Sequence, residues 1–268
     1  MLSKSILLVL LLAAASFSIT VMAPQTVEVQ NGDTLNLGTI GPGQTVSIVI
    51  DRKVTNGGIH GIGGFFDQAQ VYDLPRGWSA SDSKLYQDPL QVTISAAPDA
   101  TEGEYSAKVK VIDENNGEGL GEIVLNIKLN VTYDVMNFDV SPQDISVGPG
   151  QPARFEITIT NKGATSDVFQ VSSTGAKRWE FTKPVFVPAE SSKTIYYEIV
   201  PLEEATYRAS INVVSLASKK IADQKNVTLS VHSTLLGDYK AMNNGVIIFP
   251  IYETITYAFA GFISNFYR

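Results

Sequence analysis

The chain has 268 residues, of which 18% are charged, with a formal net charge of −7 and no cysteine. The length suits two domains of about 100 residues each. The acidic balance argues against binding to nucleic-acid phosphates, and the missing cysteine excludes disulfides, thiolate metal sites and cysteine nucleophiles. Each domain must therefore be stabilised by packing and hydrogen bonds alone.

The N-terminus has the pattern of a secretory signal. Lys4 precedes an unbroken apolar run from Ser5 to Ala15 that ends in small residues. We therefore expect an exported protein in which residues 1–23 form a signal sequence or, if uncleaved, an N-terminal anchor. Cleavage after Ala23 would follow a small residue but precede a proline, and cleavage near Ala15 is the alternative.

The segment from Gln25 to Ser233 has an all-β pattern. Short runs of alternating apolar and polar residues are separated by Gly, Pro, Asn and Asp. The clearest predicted strands are Val27 to Leu37, Thr45 to Ile50, Leu90 to Ile94, Tyr105 to Ile112 and Ile123 to Thr132. Asn116-Gly117 predicts a two-residue hairpin turn between the last two.

Landmarks of the first half recur in the same order in the second half. The pairs are Gly41-Pro42-Gly43-Gln44 with Gly148-Pro149-Gly150-Gln151, Trp78 with Trp179, Tyr105-x-Ala107-x-Val109-x-Val111 with Tyr207-x-Ala209-x-Ile211-x-Val213, and Asn130-Val131-Thr132 with Asn226-Val227-Thr228. We therefore predict one domain type used twice, over residues 25–135 and 136–233.

The repeated pattern resembles the NEW3/CARDB-like immunoglobulin-type modules of bacterial and archaeal surface proteins. In such modules a Pro-Gly turn precedes a strand that ends in a turn like Thr160-Asn161-Lys162-Gly163. A stretch similar to Pro98 to Val111 then leads into the last hairpin. The resemblance implies a sandwich of about seven or eight strands that serves as a spacer, stalk or adhesive module, and it brings no catalytic residues.

Two sequons are candidate modification sites. Asn130 and Asn226 each begin an Asn-x-Thr triplet and would accept N-glycans if their side chains face solvent. The repeat pairing places the two triplets at equivalent positions. Chance occurrence in a Val-Thr-rich strand is the alternative explanation.

Other motifs give no chemistry. The glycine-rich stretch 57–64 lacks a Gly-Lys-Ser/Thr ending and a βαβ context, so we interpret it as an inserted loop, either a disordered spacer or a binding loop.

The run 113–118 has its glycine misplaced for a calcium loop and suits a hairpin turn. His60 and His232, the only histidines, lie in different halves. We expect no catalytic residue, metal or cofactor, although carboxylate pairs for glycoside hydrolysis stay open.

The C-terminal segment 245–267 is apolar, with Glu253 as its single charge. We predict a membrane-associated helix. Its membrane-contacting face would comprise Ile251, Ile255, Phe259, Phe262 and Phe266. A charged Glu253 is costly in hydrocarbon, so an alternative is that Glu253 docks onto a polar group of a membrane partner. Packing on the second domain is also open.

These features together predict a fold class and a function. The fold is all-β, with two tandem immunoglobulin-like sandwiches and a short helical apolar tail. The function is that of a non-enzymatic structural or interaction protein at the outer face of the cell membrane. The expected partners are membrane lipid or a membrane protein through the tail, and surface proteins or glycans. The alternatives are an accessory subunit of a membrane-bound secretion or surface-assembly complex and a secreted carbohydrate-binding protein.

Overall fold

The computed structural model describes residues 18–233, which form two β-sandwiches joined by a four-residue linker, 132–135. The predicted all-β class is confirmed for this range, in which strands are accompanied only by two short 3-10 turns. The predicted tail helix, 245–267, lies outside the described residues.

Nineteen strands make up the two domains. Those of the first domain are β1 (Ser18–Ala23), β2 (Val27–Gln30), β3 (Thr34–Ile40), β4 (Thr45–Ile50), β5 (Lys53–Val54), β6 (Gly64–Phe65), β7 (Gln68–Tyr72), β8 (Ser79–Ser81), β9 (Leu90–Ser95), β10 (Gly103–Ile112) and β11 (Glu122–Val131). Those of the second are β12 (Met136–Ser141), β13 (Asp144–Val147), β14 (Ala153–Asn161), β15 (Asp167–Thr174), β16 (Thr182–Val187), β17 (Ser192–Ile199), β18 (Thr206–Ser215) and β19 (Ala222–Val231).

The first domain packs a five-stranded sheet, in the order β2-β1-β4-β9-β8, against a four-stranded sheet, β3-β11-β10-β7. Inward-facing Val109 and Val111 of β10 meet Leu125 and Ile127 of β11 in one core, and all four are fully buried. The intervening polar residues face solvent, as the alternation predicts.

The first domain includes a strand that the sequence analysis placed in the N-terminal segment. β1 lies between β2 and β4, and its Ile19 and Val21 are buried in the core. The sandwich therefore includes residues from Ser18 on, seven positions before the predicted boundary at residue 25. This strand was hidden in the sequence because its two inward residues continue the apolar run of the signal.

The predicted strand from Val27 to Leu37 is two strands in different sheets. β2 pairs with β1, whereas β3 pairs in parallel with β11. The break falls at Gly32, whose φ of 89° allows the chain to turn from one sheet to the other.

The β10–β11 connection is longer than predicted. Nine residues, 113–121, separate the strands, so the prediction of a two-residue turn at Asn116-Gly117 is wrong. Asp113 organises the loop because its Oδ2 accepts hydrogen bonds from the N–H groups of Glu118 and Leu120, at 2.9 and 3.0 Å. The Asp113 carboxylate therefore stabilises a nine-residue loop where a two-residue turn was predicted.

The second domain repeats the topology of the first. A three-stranded sheet, β12-β14-β17, packs on a five-stranded sheet, β13-β19-β18-β15-β16. Each domain closes with a long antiparallel hairpin and an early strand parallel to its last strand. The domains differ at their edges, since β8 joins the β9 edge in the first domain whereas β16 joins the β15 edge in the second, and β2 and the β5–β6 hairpin of the first domain have no counterpart in the second.

The chain enters and leaves the two-domain unit at opposite ends. In the first domain β11 runs towards the linker, and the strand pairing places Ser18 at the end remote from it. In the second domain β19 runs away from the linker and ends at Val231. Each domain has ten-residue strands of about 33 Å, so the two exits are about 65 Å apart.

Candidate functional site

The junction between the domains contains a buried hydrogen-bond network. The Gln44 amide Nε2 donates to Asp167 Oδ2 at 2.7 Å, and the Ser215 hydroxyl donates to the same oxygen at 2.7 Å. These three side chains are only 2%, 6% and 3% exposed for Gln44, Asp167 and Ser215, respectively. Gln44 belongs to the first domain and the other two to the second, so a buried carboxylate ties the domains together.

The Pro-Gly turn that the repeat predicted positions this network. Gln44 N–H donates to the Gly41 carbonyl, and Gln44 Oε1 accepts from Gly41 N–H at 2.7 Å, which leaves the amide nitrogen free to reach Asp167. Gly43, at φ 71°, has no room for a side chain, because an added Cβ would lie 2.1 Å from the Ala217 carbonyl oxygen. The turn therefore contacts the second domain through its backbone.

The linker and its neighbours are held by further bonds. Lys220 Nζ donates to the carbonyl of Asp99 at 2.9 Å and lies 5.1 Å from the ring centre of Tyr133. Hydrogen bonds from the Tyr133 N–H and the Thr132 hydroxyl keep the pKa of the Glu102 carboxyl below its usual value. The linker is thus fixed at both ends, and the domains form one unit.

Sequence reasoning missed this junction, although the sequence carried a signal. Asp167 and Ser215 occupy inward positions of otherwise apolar strands, where an unpaired polar group would be unfavourable. Polar residues at such positions indicate a buried hydrogen-bond partner. That partner, Gln44, lies 123 residues from Asp167 in the sequence, so periodicity could not identify it.

The two tryptophans pack in the cores, as their repeat-equivalent positions predicted. Trp78 lies against Tyr105 with ring centres 5.0 Å apart, and Trp179 lies against Tyr207 at 5.2 Å. Tyr105 OH also donates to the Thr101 carbonyl at 3.0 Å. Both indoles are partly buried against the cores, and Trp179 also lines a surface cleft with Phe181 and Tyr197.

The glycine-rich stretch is ordered, which contradicts the interpretation as a disordered spacer. Backbone bonds run from Ile59 N–H to the Glu118 carbonyl at 2.9 Å and from Gly63 N–H to the Gly57 carbonyl at 2.9 Å. The stretch caps a small hairpin formed by β5 and β6. Ile59 and Ile62 are exposed at its tip, at the end of the first domain remote from the linker.

The described residues offer little for metal or acid–base chemistry. Between residues 18 and 233, no group of three or more His, Asp or Glu side chains is arranged to hold a metal ion. Asp113 of the run 113–118 accepts hydrogen bonds from two backbone N–H groups with one oxygen. His60 lies at the tip of the glycine-rich hairpin, in the first domain, whereas His232 follows the last strand of the second.

Both sequon asparagines are exposed on strands, Asn130 on β11 and Asn226 on β19. Their predicted equivalence is wrong. Tyr105 pairs with Leu129 and Tyr207 with Leu229, so Asn130 corresponds to Ser230, and Asn226 corresponds to Asn126. The two triplets are offset by four residues. The identical Asn-Val-Thr sequences suggested equivalent positions, but the strand register does not follow that match.

The predicted tail residues Ile251, Glu253, Ile255, Phe259, Phe262 and Phe266 lie outside the described residues. Within 18–233, no helix is long and apolar enough to cross a bilayer.

A groove of about 940 Å³ lies beside the junction. Pro98 and Asp99 of the first domain form one wall, and Val214, Leu216 and Ala217 of the second form the other. Its surface is mostly apolar, with lysine side chains at the rim. Like the buried hydrogen-bond network, this groove combines residues from both domains.

No protein-family model and no curated protein matches the chain. Among solved structures, the chain is similar to the CARDB domain of the PF1109 protein from Pyrococcus furiosus in complex with di-metal ions, with 17% identity over 37% of this chain and 94% of that one and a TM-score of 0.29. It is also similar to a chimeric titin Z1Z2 carrying a decorin peptide, with 14% identity over 82% of this chain and 100% of that one and a TM-score of 0.37. The titin tandem A164-A165 has 9% identity over the same shares and a TM-score of 0.30.

Proposed function

We propose that the chain is a non-enzymatic cell-surface protein that holds two immunoglobulin-like domains as one unit outside the membrane. The observation that carries this proposal is the fixed junction together with the opposite positions of the chain ends. A flexible linker would let the domains fold back on each other, whereas a hydrogen-bonded junction keeps their outer ends about 65 Å apart. Such a unit suits a spacer or a presenting module.

The proposed attachment is through the C-terminal tail. The chain leaves the second domain at its outer end and continues towards the apolar segment 245–267. A retained N-terminal segment would enter at the opposite end of the unit. Because an upright unit cannot place both ends in one bilayer, we propose that the signal is cleaved before Ser18 and that the tail holds the protein at the outer face of the membrane.

This attachment would put the first domain farthest from the membrane. Its outer end presents Ile59 and Ile62 on an ordered hairpin, and exposed apolar residues on a fixed loop are typical of a contact site for another surface molecule. The proposed partners are therefore surface proteins or glycans at this end, and membrane lipid or a membrane protein at the tail.

Membrane fractionation with carbonate extraction tests the attachment. The full chain is expected to resist extraction, and a chain ending at Leu235 is expected to be released, because it lacks the apolar segment. Glu253→Leu separates a lipid anchor from a docking tail: the variant should stay membrane-bound in both cases, but only a docking tail should lose a co-purifying membrane partner. Release of both the full and the shortened chain would contradict membrane attachment.

We also propose that Asn130 and Asn226 carry N-glycans where the host has the machinery, because both side chains are exposed. Asn130→Gln and Asn226→Gln should each increase gel mobility by one step, and the double variant by two. Asn126→Gln is the matched control, because Asn126 occupies the register position of Asn226 but begins no sequon. Unchanged mobility of the double variant in a glycosylating host would contradict the modification.

A further inference from the structure

The outer face of the large sheet in the second domain has an apolar patch at its junction end. Val168 of β15 pairs with Phe186 of β16, and the N–H of Leu216, just after β18, donates to the Val168 carbonyl at 2.9 Å, so the three residues lie side by side. Phe186 is 58% exposed and Leu216 is 60% exposed. The adjacent row contains Pro184, Gln170, Val214 and Ala222. We call the six apolar residues of these two rows the junction patch.

The face that carries the junction patch is almost uncharged. Of the outward positions on the five strands of this sheet, only Arg208 on β18 and Asp144 on β13 are charged, and both lie at the end remote from the junction. The matching face of the first domain contains five charged residues: Glu104, Lys108, Lys110, Glu122 and Lys128. The two domains therefore share a fold but differ in the charge of this face, and so low a charge is unusual for a surface that only contacts water.

Edge-to-edge pairing of this sheet is disfavoured. The edge strand β16 contains Pro184, which has no N–H to donate, and an exposed Lys183 at an inward register position. Proline and inward-pointing lysine are the devices by which proteins prevent edge strands from pairing. Contact through the flat face is therefore favoured over contact through the edge.

The rim of the junction patch has opposite charges. The neighbouring groove is bordered by Asp99 from the first domain and by Lys219 from the second, and both side chains are exposed. Two copies that meet face to face could pair the Asp99 of each copy with the Lys219 of the other, because an isologous interface makes every contact twice.

We propose that the junction patch is a dimer interface, occupied by the same patch of a second copy packed face to face. A formal net charge of −7 on each chain opposes self-association through most of the surface. The junction patch avoids this repulsion, since it is uncharged at its centre and has complementary charges at its rim. Two sheets that pack in this way also exclude water from Phe186 and Leu216.

The symmetry agrees with the proposed attachment, although the patch itself does not depend on it. A two-fold axis parallel to the strands relates the two faces and leaves both C-termini at the same end. Two tail-anchored copies in one membrane would therefore meet in this orientation. Asn226 lies on the same face but six register positions from Val168, about 20 Å along the strands, so a glycan there would border the junction patch.

A single-cysteine cross-linking experiment tests the dimer, because the natural chain contains no cysteine. Gln170→Cys places a thiol at the centre of the patch in the full-length chain. Packed sheets are about 10 Å apart, too far for a disulfide, so a bismaleimide of about 10 Å reach is added to intact cells. Lys128→Cys, on the matching face of the first domain, is the control. At least about tenfold more cross-linked dimer is expected for Gln170→Cys than for the control.

A second variant separates patch contact from crowding in the membrane. Leu216→Lys combined with Gln170→Cys introduces one charge from each copy into the interface and should reduce the cross-linked fraction about tenfold or more. Leu216 is exposed, so the thermal unfolding midpoint should stay unchanged. Equal cross-linking with and without Leu216→Lys would overturn the proposal.

The same cross-linking experiment also tests whether the tail of the same chain, instead of a second copy, covers the junction patch. If Gln170→Cys cross-links only after the chain is shortened to Leu235, the tail of the same chain covers the junction patch, and the dimer proposal fails. Cross-linked dimer in the culture medium, with none in the membrane fraction, would support the dimer and contradict the proposed membrane attachment.

Discussion

Replacement of Asp167 by alanine is expected to destabilise the protein by about 3–5 kcal/mol and to uncouple its two domains. The carboxylate accepts hydrogen bonds from Gln44 Nε2, Ser215 Oγ and Val168 N–H, each at 2.7 Å. Its removal leaves the Gln44 and Ser215 donors buried without this acceptor, which costs more than the loss of the bonds alone. Urea unfolding measures the stability, and ¹⁵N relaxation measures whether the two domains tumble together.

Two matched variants identify the cause of that loss. Asp167→Asn retains a side-chain acceptor but not the charge, and a smaller effect of about 1–2 kcal/mol is expected. Asp144→Ala removes an exposed aspartate of β13, an edge strand of the same sheet, and should change stability by less than about 0.5 kcal/mol. If Asp167→Ala behaved like Asp144→Ala, with one shared tumbling time for both domains, the junction network would not be what couples them.

Removal of β1 is expected to prevent folding of the first domain. A chain that begins at Ser18 behind a heterologous signal should be exported and resist proteolysis, whereas a chain that begins at Pro24 should be degraded. The shorter chain lacks an internal strand, so β2 and β4 lose their shared partner and the core loses Ile19 and Val21. Export yield and limited proteolysis are the measurements.

The same pair of chains tests where the signal ends. N-terminal sequencing of the natural protein should give a mature start at or before Ser18, since cleavage after Ala23 would remove β1. An Ile19→Val variant in the longer chain is the control for a mild core change and should cost about 1 kcal/mol. A mature, protease-resistant protein that starts at Pro24 would refute the structural role of β1.

The sequence predicted more of the fold than of the candidate sites. Alternation placed the inward residues of β10, β11 and β18, and the Pro-Gly and Trp-Tyr landmarks identified one domain type used twice. These are local signals, because strand periodicity and turn residues act within a few positions. The offset of the two sequons escaped the same reasoning, since it depends on pairing between strands.

The sequence by itself determined the all-β class, the internal repeat of one domain type and the packing of Trp78 and Trp179 against the cores. Only the tertiary structure decided that β1 belongs to the first sandwich, that Gln44 reaches Asp167 across the junction, and that Phe186, Val168 and Leu216 form one row. The physical reason is sequence distance: periodicity reports which face a residue occupies, whereas the partner on that face comes from segments many residues away. The opposite positions of the two chain ends are therefore set only when the sheets assemble. The same holds for the sparsely charged outer face of the large sheet in the second domain.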